Sequence, residues 1–159
     1  MKRRHLIWIA AAVVLVVLNT LVVQKERFLA NGESVYLELA PVDPRSLIQG
    51  DYMRLRYEVG DDIDDALSQR SVHRGTAVVS VDERGVAHFQ RLGDDLEQDN
   101  ERLLRWKRKD GRITIGADAF YFQEGRREHF EQAEFGEVKA HDDGKTLLVG
   151  LRDDALEPL

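Results

Sequence analysis

The spacing of hydrophobic residues changes character once along the chain. From Leu6 to Val23 they follow one another without a single charge (LIWIAAAVVLVVLNTLVV), and only Asn19 and Thr20 are strongly polar. Beyond residue 33 they alternate: Val35, Leu37 and Leu39 are separated by Tyr36 and Glu38. An apolar run of about 18–20 residues, rising 1.5 Å each, covers the hydrocarbon core of a bilayer. Inside hydrocarbon every backbone N–H and C=O must pair within its own segment, so the run is predicted to be helical. Alternation over four to eight residues predicts a strand with one buried face.

The alternation continues to the C-terminus in short pieces. Pro41 and Pro44 break the first strand, because proline lacks a donor and restricts the residue before it. Residues 46–51 read as a turn. A second strand follows, with Met53, Leu55, Tyr57 and Val59 on one face and Tyr52, Arg54, Arg56 and Glu58 on the other. Residues 60–67 suit a short helix capped by Asp61 or Asp62. Three hairpins are predicted where β-prone runs flank short polar loops ending in glycine: 76–81 with 86–91, 103–107 with 113–115, and 137–141 with 146–151. Residues 119–122 (AFYF) read as a strand or a buried turn, and 124–132 have helical composition. The expected fold class is mainly β (α+β). A transmembrane helix is followed by an antiparallel, barrel-like or sandwich β domain with one or two short helices.

The flanks of the apolar run set its expected orientation. Lys2, Arg3 and Arg4 precede it, and retained basic residues mark the cytoplasmic side. A cleaved signal would be shorter and end in a small-residue site. Here the only small-residue cluster, Ala10 to Ala12, lies inside the run, and Gln24, Lys25, Glu26 and Arg27 follow it. The expected organisation is a cytoplasmic tail over 1–5, an uncleaved signal anchor over 6–23, a juxtamembrane helix end and linker over 24–32, and an extracytoplasmic β-rich domain over 33–159. The many Arg, Asp and Ala residues and the short tripartite N-terminus look bacterial, so the expected location is a bacterial inner (cytoplasmic) membrane, as a single-pass protein with its N-terminus in.

Charge and cysteine content narrow the function classes. The chain has no cysteine, which excludes disulfides and thiolate chemistry. From residue 31 onward 18 basic residues face 28 acidic ones, a net of −10. Such a domain is not expected to bind nucleic acid. Within it, Arg102, Arg105, Lys107, Arg108, Lys109 and Arg112 concentrate positive charge around Trp106. They form either a charged hairpin protected against edge-to-edge pairing or a contact with lipid head groups or an acidic partner.

Residues 50–57 read Gly-Asp-Tyr-Met-Arg-Leu-Arg-Tyr. In this segment the chain resembles the bacterial GDYXXLXY protein family, with Gly50, Asp51, Tyr52, Leu55 and Tyr57 at every defined position. The stretch from Tyr121 to Gly125 and the layout of an anchor followed by a β-rich domain are similar as well. The resemblance implies a membrane-anchored envelope protein without an assigned enzymatic role, associated with multi-spanning membrane proteins. Read physically, Gly50 permits a chain reversal, Asp51 can accept backbone N–H groups of that turn, and Leu55 and Tyr57 share the core-facing parity of the following strand.

Catalytic constellations are weak. The stretch from Pro44 to Tyr52 has a local likeness to type I signal peptidases, but the nucleophile position falls on Val42, and no lysine base is recognisable. Ser46 lies in no nucleophile elbow. His73, His88, His129 and His141 are scattered singly. Glu124, Glu128 and Glu131 near His129 read as a solvated acidic face rather than a cation site. No cofactor or metal is expected. The expected function is a non-enzymatic, membrane-anchored domain that binds another membrane or envelope component. Its partners are the bilayer, through the helix, and a membrane or envelope protein, through the motif region. Candidate residues are Gly50, Asp51, Tyr52, Leu55 and Tyr57, the outward-facing Arg54 and Arg56, and Glu124. The alternative is a divergent signal-peptidase-like or other envelope hydrolase, including a glycan-acting one using Asp51 and Glu124.

Overall fold

The structure, a computed structural model, describes residues 2–40, 52–68, 70 and 72–159. The expected proline break and turn over 41–51 lie outside the described residues. The chain divides into two compact units, one ending at Gly32 and the other spanning Glu33–Leu159.

The first unit is one helix, α1 (Lys2–Asn31). Its Ile7–Asn31 stretch is long and apolar enough to cross a membrane. The two polar residues of the apolar run over 6–23, Asn19 and Thr20, do not interrupt it. Asn19 Nδ2 donates to the Leu15 carbonyl at 2.8 Å, and Thr20 Oγ1 donates to the Val16 carbonyl at 2.8 Å. Both side chains are satisfied inside their own helix, which lowers the cost of placing them in hydrocarbon.

The second unit is strand-rich, with antiparallel sheets that include a curled half-barrel. Its elements in order are β1 (Glu33–Glu38), β2 (Tyr52–Arg54), α2 (Glu58–Leu67), β3 (Arg74–Val81), β4 (Ala87–Leu92), β5 (Glu101–Lys109), β6 (Arg112–Ile115), β7 (Ala119–Tyr121), α3 (Arg127–Phe130), β8 (Phe135–Ala140) and β9 (Thr146–Arg152). Among the described residues these strands form sheets in the orders β1-β8-β9, β2-β7 and β4-β3-β5-β6. The three hairpins form as their turn chemistry predicts. In the second, Asp110 and Gly111 both take positive φ (51° and 78°), as a two-residue hairpin turn demands. Isolated bridges from Tyr36 to Val86 and from Leu39 to Tyr57 tie β1 to its neighbours.

The second strand is shorter than its alternation predicts. Met53 and Tyr57 are buried and Arg54 and Arg56 exposed, as the period requires, but only Tyr52–Arg54 pairs as a strand. From Glu58 the chain is helical. Val59, Ile63 and Leu67 recur every fourth residue and bury one helix face, and Val59 belongs to both patterns. Neither Asp61 nor Asp62 caps this helix. Tyr57 holds the N-cap position in extended backbone without a side-chain bond, while Glu58 and Asp61 place negative charge in the first turn.

The main core joins Val35 and Leu37 of β1 to Val79, Leu104, Ile115 and Val138, with α2 packed over them. Trp106 belongs to this core at 4% exposure. Two carboxylates are buried as well. Glu101 accepts from both Arg91 nitrogens (2.6 and 3.0 Å) and from the Glu97 backbone N–H at 2.7 Å. Glu137 accepts from Ser34 Oγ and Arg152 Nε, each at 3.0 Å.

Candidate functional site

The motif strand β2 builds one wall of a groove. Its antiparallel pairing with β7 sets Tyr52 directly opposite Tyr121. Their rings stand 5.5 Å apart and tilted by 35°, within the range of favourable aromatic contact. Met53 points the other way, into a second apolar cluster with Phe130 and Leu151. The Leu55 N–H donates to the Asp118 carbonyl at 3.1 Å, which holds the chain after β2 against the segment before β7. Helix α2 and the β5–β6 hairpin close the other side. The groove has a volume of about 530 Å³, suited to a small ligand or a side chain of a partner.

Four cations and four carboxylates line it: Arg54, Arg56, Lys109 and Arg112 against Asp61, Asp64, Asp110 and Asp118. Most are already engaged. Arg56 Nε lies 2.8 Å from Asp61, Arg108 pairs with Asp64 at 2.6 Å, and Lys109 pairs with Asp118. The Lys109 hydrogen bond holds Asp118 below the ordinary carboxylate range, and Asp118 in turn raises Lys109. Arg54 and Arg112 are exposed and make no ion pair among the described residues. The groove therefore carries uncommitted guanidinium groups on an acidic domain.

Tyr121 stands at 75% exposure and borders a second, shallower hollow formed with Phe120, Phe122, Gln123, Arg126 and Phe130. The charged groove and the aromatic hollow thus share one exposed ring.

Of the residues singled out in the sequence, Tyr52, Arg54, Leu55 and Arg56 come together along this groove. Gly50 and Asp51 lie outside the described residues, as does Ser46. Glu124 sits exposed in the turn after β7 and does not line the groove. Tyr57 is not at the surface. It is 3% exposed, its hydroxyl has no hydrogen-bond partner among the described residues, and burial raises its pKa. His88 pairs with Asp82 at 3.2 Å, and His129 packs edge-on against Phe130. Among the described residues no group of three or more His, Asp or Glu could hold a metal ion. The basic cluster around Trp106 is largely spent on pairs, including Arg102 with Glu33 and Arg105 with Asp143. Sequence reasoning missed Tyr121, Lys109, Arg112 and Asp118 as neighbours of the motif. The aromatic run at 119–122 was the available signal, but nothing local to it names β2 as its partner.

The unpaired hydroxyl makes a direct test of what Tyr57 does. A buried donor without a partner costs about 1–3 kcal/mol. Tyr57→Phe is therefore expected to leave stability unchanged or raise it by about 1 kcal/mol in chemical denaturation. A loss above about 2 kcal/mol would mean that the hydroxyl is bonded in solution.

A family model described as GDYXXLXY protein matches residues 14–151. Comparisons with curated proteins and with solved structures give no match.

Proposed function

Since the chain belongs to the GDYXXLXY protein family, we propose that it is a membrane-tethered binding protein of the bacterial cell envelope, with no catalytic role. Residues 1–5 remain in the cytoplasm, 6–23 span the inner membrane, 24–32 lead out of it, and 33–159 form a periplasmic domain. The basic residues ahead of α1 support that orientation. The observation that carries the reading is the groove at the end of the family motif, where Tyr52, Arg54, Leu55 and Arg56 face Tyr121. It offers exposed aromatic surface and uncommitted cations, the groups that anchor partners at interfaces. Among the described residues that line it, no nucleophile is paired with a base.

The tether explains how a modest site suffices. Confinement to the membrane raises the effective concentration of any partner held in the same layer and adds avidity without new contacts. The test is site-specific photocrosslinking in intact cells from position 121, compared with position 149, which is exposed but outside the groove. Position 121 is expected to yield a discrete membrane or envelope neighbour that position 149 does not. Identical products from both positions, or adducts only with cytosolic proteins, would overturn the reading.

A further inference from the structure

We infer that the groove takes an oxyanion, a phosphate group above all, carried on a ring or chain that lies against Tyr52 and Tyr121. This deepens the binding reading above and rests on it. Three observations converge. Arg56 pairs with Asp61 and Lys109 with Asp118, while Asp64 is paired by Arg108 from outside the lining, so these three carboxylates are already neutralised. Among the described residues Arg54 and Arg112 remain, against the single carboxylate of Asp110, so that with Arg108 counted the site carries one positive group in excess, on a domain whose net charge is −10. A guanidinium offers a planar fork of donors that matches phosphate oxygens in pairs, and two of them border the same concavity. Beside them the Tyr52–Tyr121 pair presents a tilted aromatic wall, with Tyr121 largely exposed.

The arrangement also excludes simpler ligands. A cation meets the surplus positive charge of the groove. A wholly apolar ligand would strip water from two arginines and return no hydrogen bond to them. An anion alone would leave the aromatic wall unused. The chemistry is a phosphate monoester or diester with an attached organic group, supplied either by a soluble metabolite or by a lipid head group.

The experiment uses the full chain in phosphatidylcholine nanodiscs, titrated with phenyl phosphate and with inorganic phosphate by calorimetry. Phenyl phosphate is expected to bind saturably and up to about tenfold more tightly than inorganic phosphate, from ring contact. In R54Q/R112Q its affinity is expected to fall roughly 10- to 100-fold, the loss of charged hydrogen bonds, with the thermal transition unchanged. The single variants R54Q and R112Q should each show part of that loss, and Tyr121→Ala should erase the preference for the phenyl ester. Competition by phosphatidylglycerol in the nanodisc assigns the site to a lipid head group, and absence of competition assigns it to a soluble ester. Non-saturable binding, or unchanged affinity in the folded double variant, overturns the inference. Crosslinks from position 121 that persist in that case would leave the binding reading standing, whereas loss of both would remove both.

Discussion

Trp106→Ala is expected to destabilise the domain by about 3–5 kcal/mol, the cost of removing a fully packed large aromatic. Trp106 is buried in the middle of β5, flanked by β3 and β6. Its direct cross-strand partner is Gly75, and the ring lies over that glycine. A Cβ on Gly75 would stand 2.7 Å from Cζ2 and 3.0 Å from Cε2 of the indole, closer than atoms pack. The glycine is therefore kept by the tryptophan, and the two positions should couple. Gly75→Ala alone forces the ring or the strand to move and is expected to cost about 1–3 kcal/mol. In a Trp106→Leu background the same change meets open space, so most of that cost should disappear. Chemical denaturation of the four proteins in this cycle yields the coupling directly. Additive effects, or a Trp106→Ala loss below about 1 kcal/mol, would show that the indole is not packed on Gly75 in solution.

Arg152→Met should cost about 3 kcal/mol, at the lower end of the range for breaking a buried pair. Glu137 is only 6% exposed and takes hydrogen bonds from Ser34 and Arg152 across the β1-β8-β9 sheet. Removing the guanidinium strands that carboxylate, although Arg152 itself retains some contact with water, which moderates the loss. The same groups make stability depend on acid. Burial alone would raise Glu137, but its bonds to Arg152 and Ser34 outweigh that and hold it below the ordinary value of 4.5. Arg91 and the backbone N–H of Glu97 draw Glu101 down further, to about 2. A carboxylate depressed on folding stabilises fully above its unfolded pKa, and that contribution is lost as pH falls through the folded value. Thermal stability is thus expected to fall between pH 4.5 and about 2, with a shallower slope in Glu101→Gln. Equal melting temperatures at both ends of that window would contradict the two buried pairs. Their contribution comes from local hydrogen bonds, so added salt should weaken it little.

How much of this was legible depends on the range of each interaction. The hairpins at 82–85, 109–111 and 142–144 could be read because turn residues and flanking alternation lie within a few positions of each other. The parity of Met53, Arg54, Arg56 and Tyr57 could be read for the same reason. The end of β2 could not, because Val59 satisfies the period of a strand and of a helix at once, and only packing of Ile63 and Leu67 onto the sheet resolves it. The basic residues around Trp106 showed their number but not their partners, since Glu33, Asp64 and Asp143 come from distant segments.

Sequence by itself determined the apolar helix, the β-rich class of the rest and the family motif, because each is written in neighbouring residues whose spacing or identity is sufficient. Tertiary structure alone decided that Tyr52 meets Tyr121, and that among the described residues Arg54 and Arg112 make no ion pair while their neighbours do. Those outcomes depend on which strands find each other across long stretches of chain, and the energy that selects such pairings belongs to the packed whole rather than to any local run of residues.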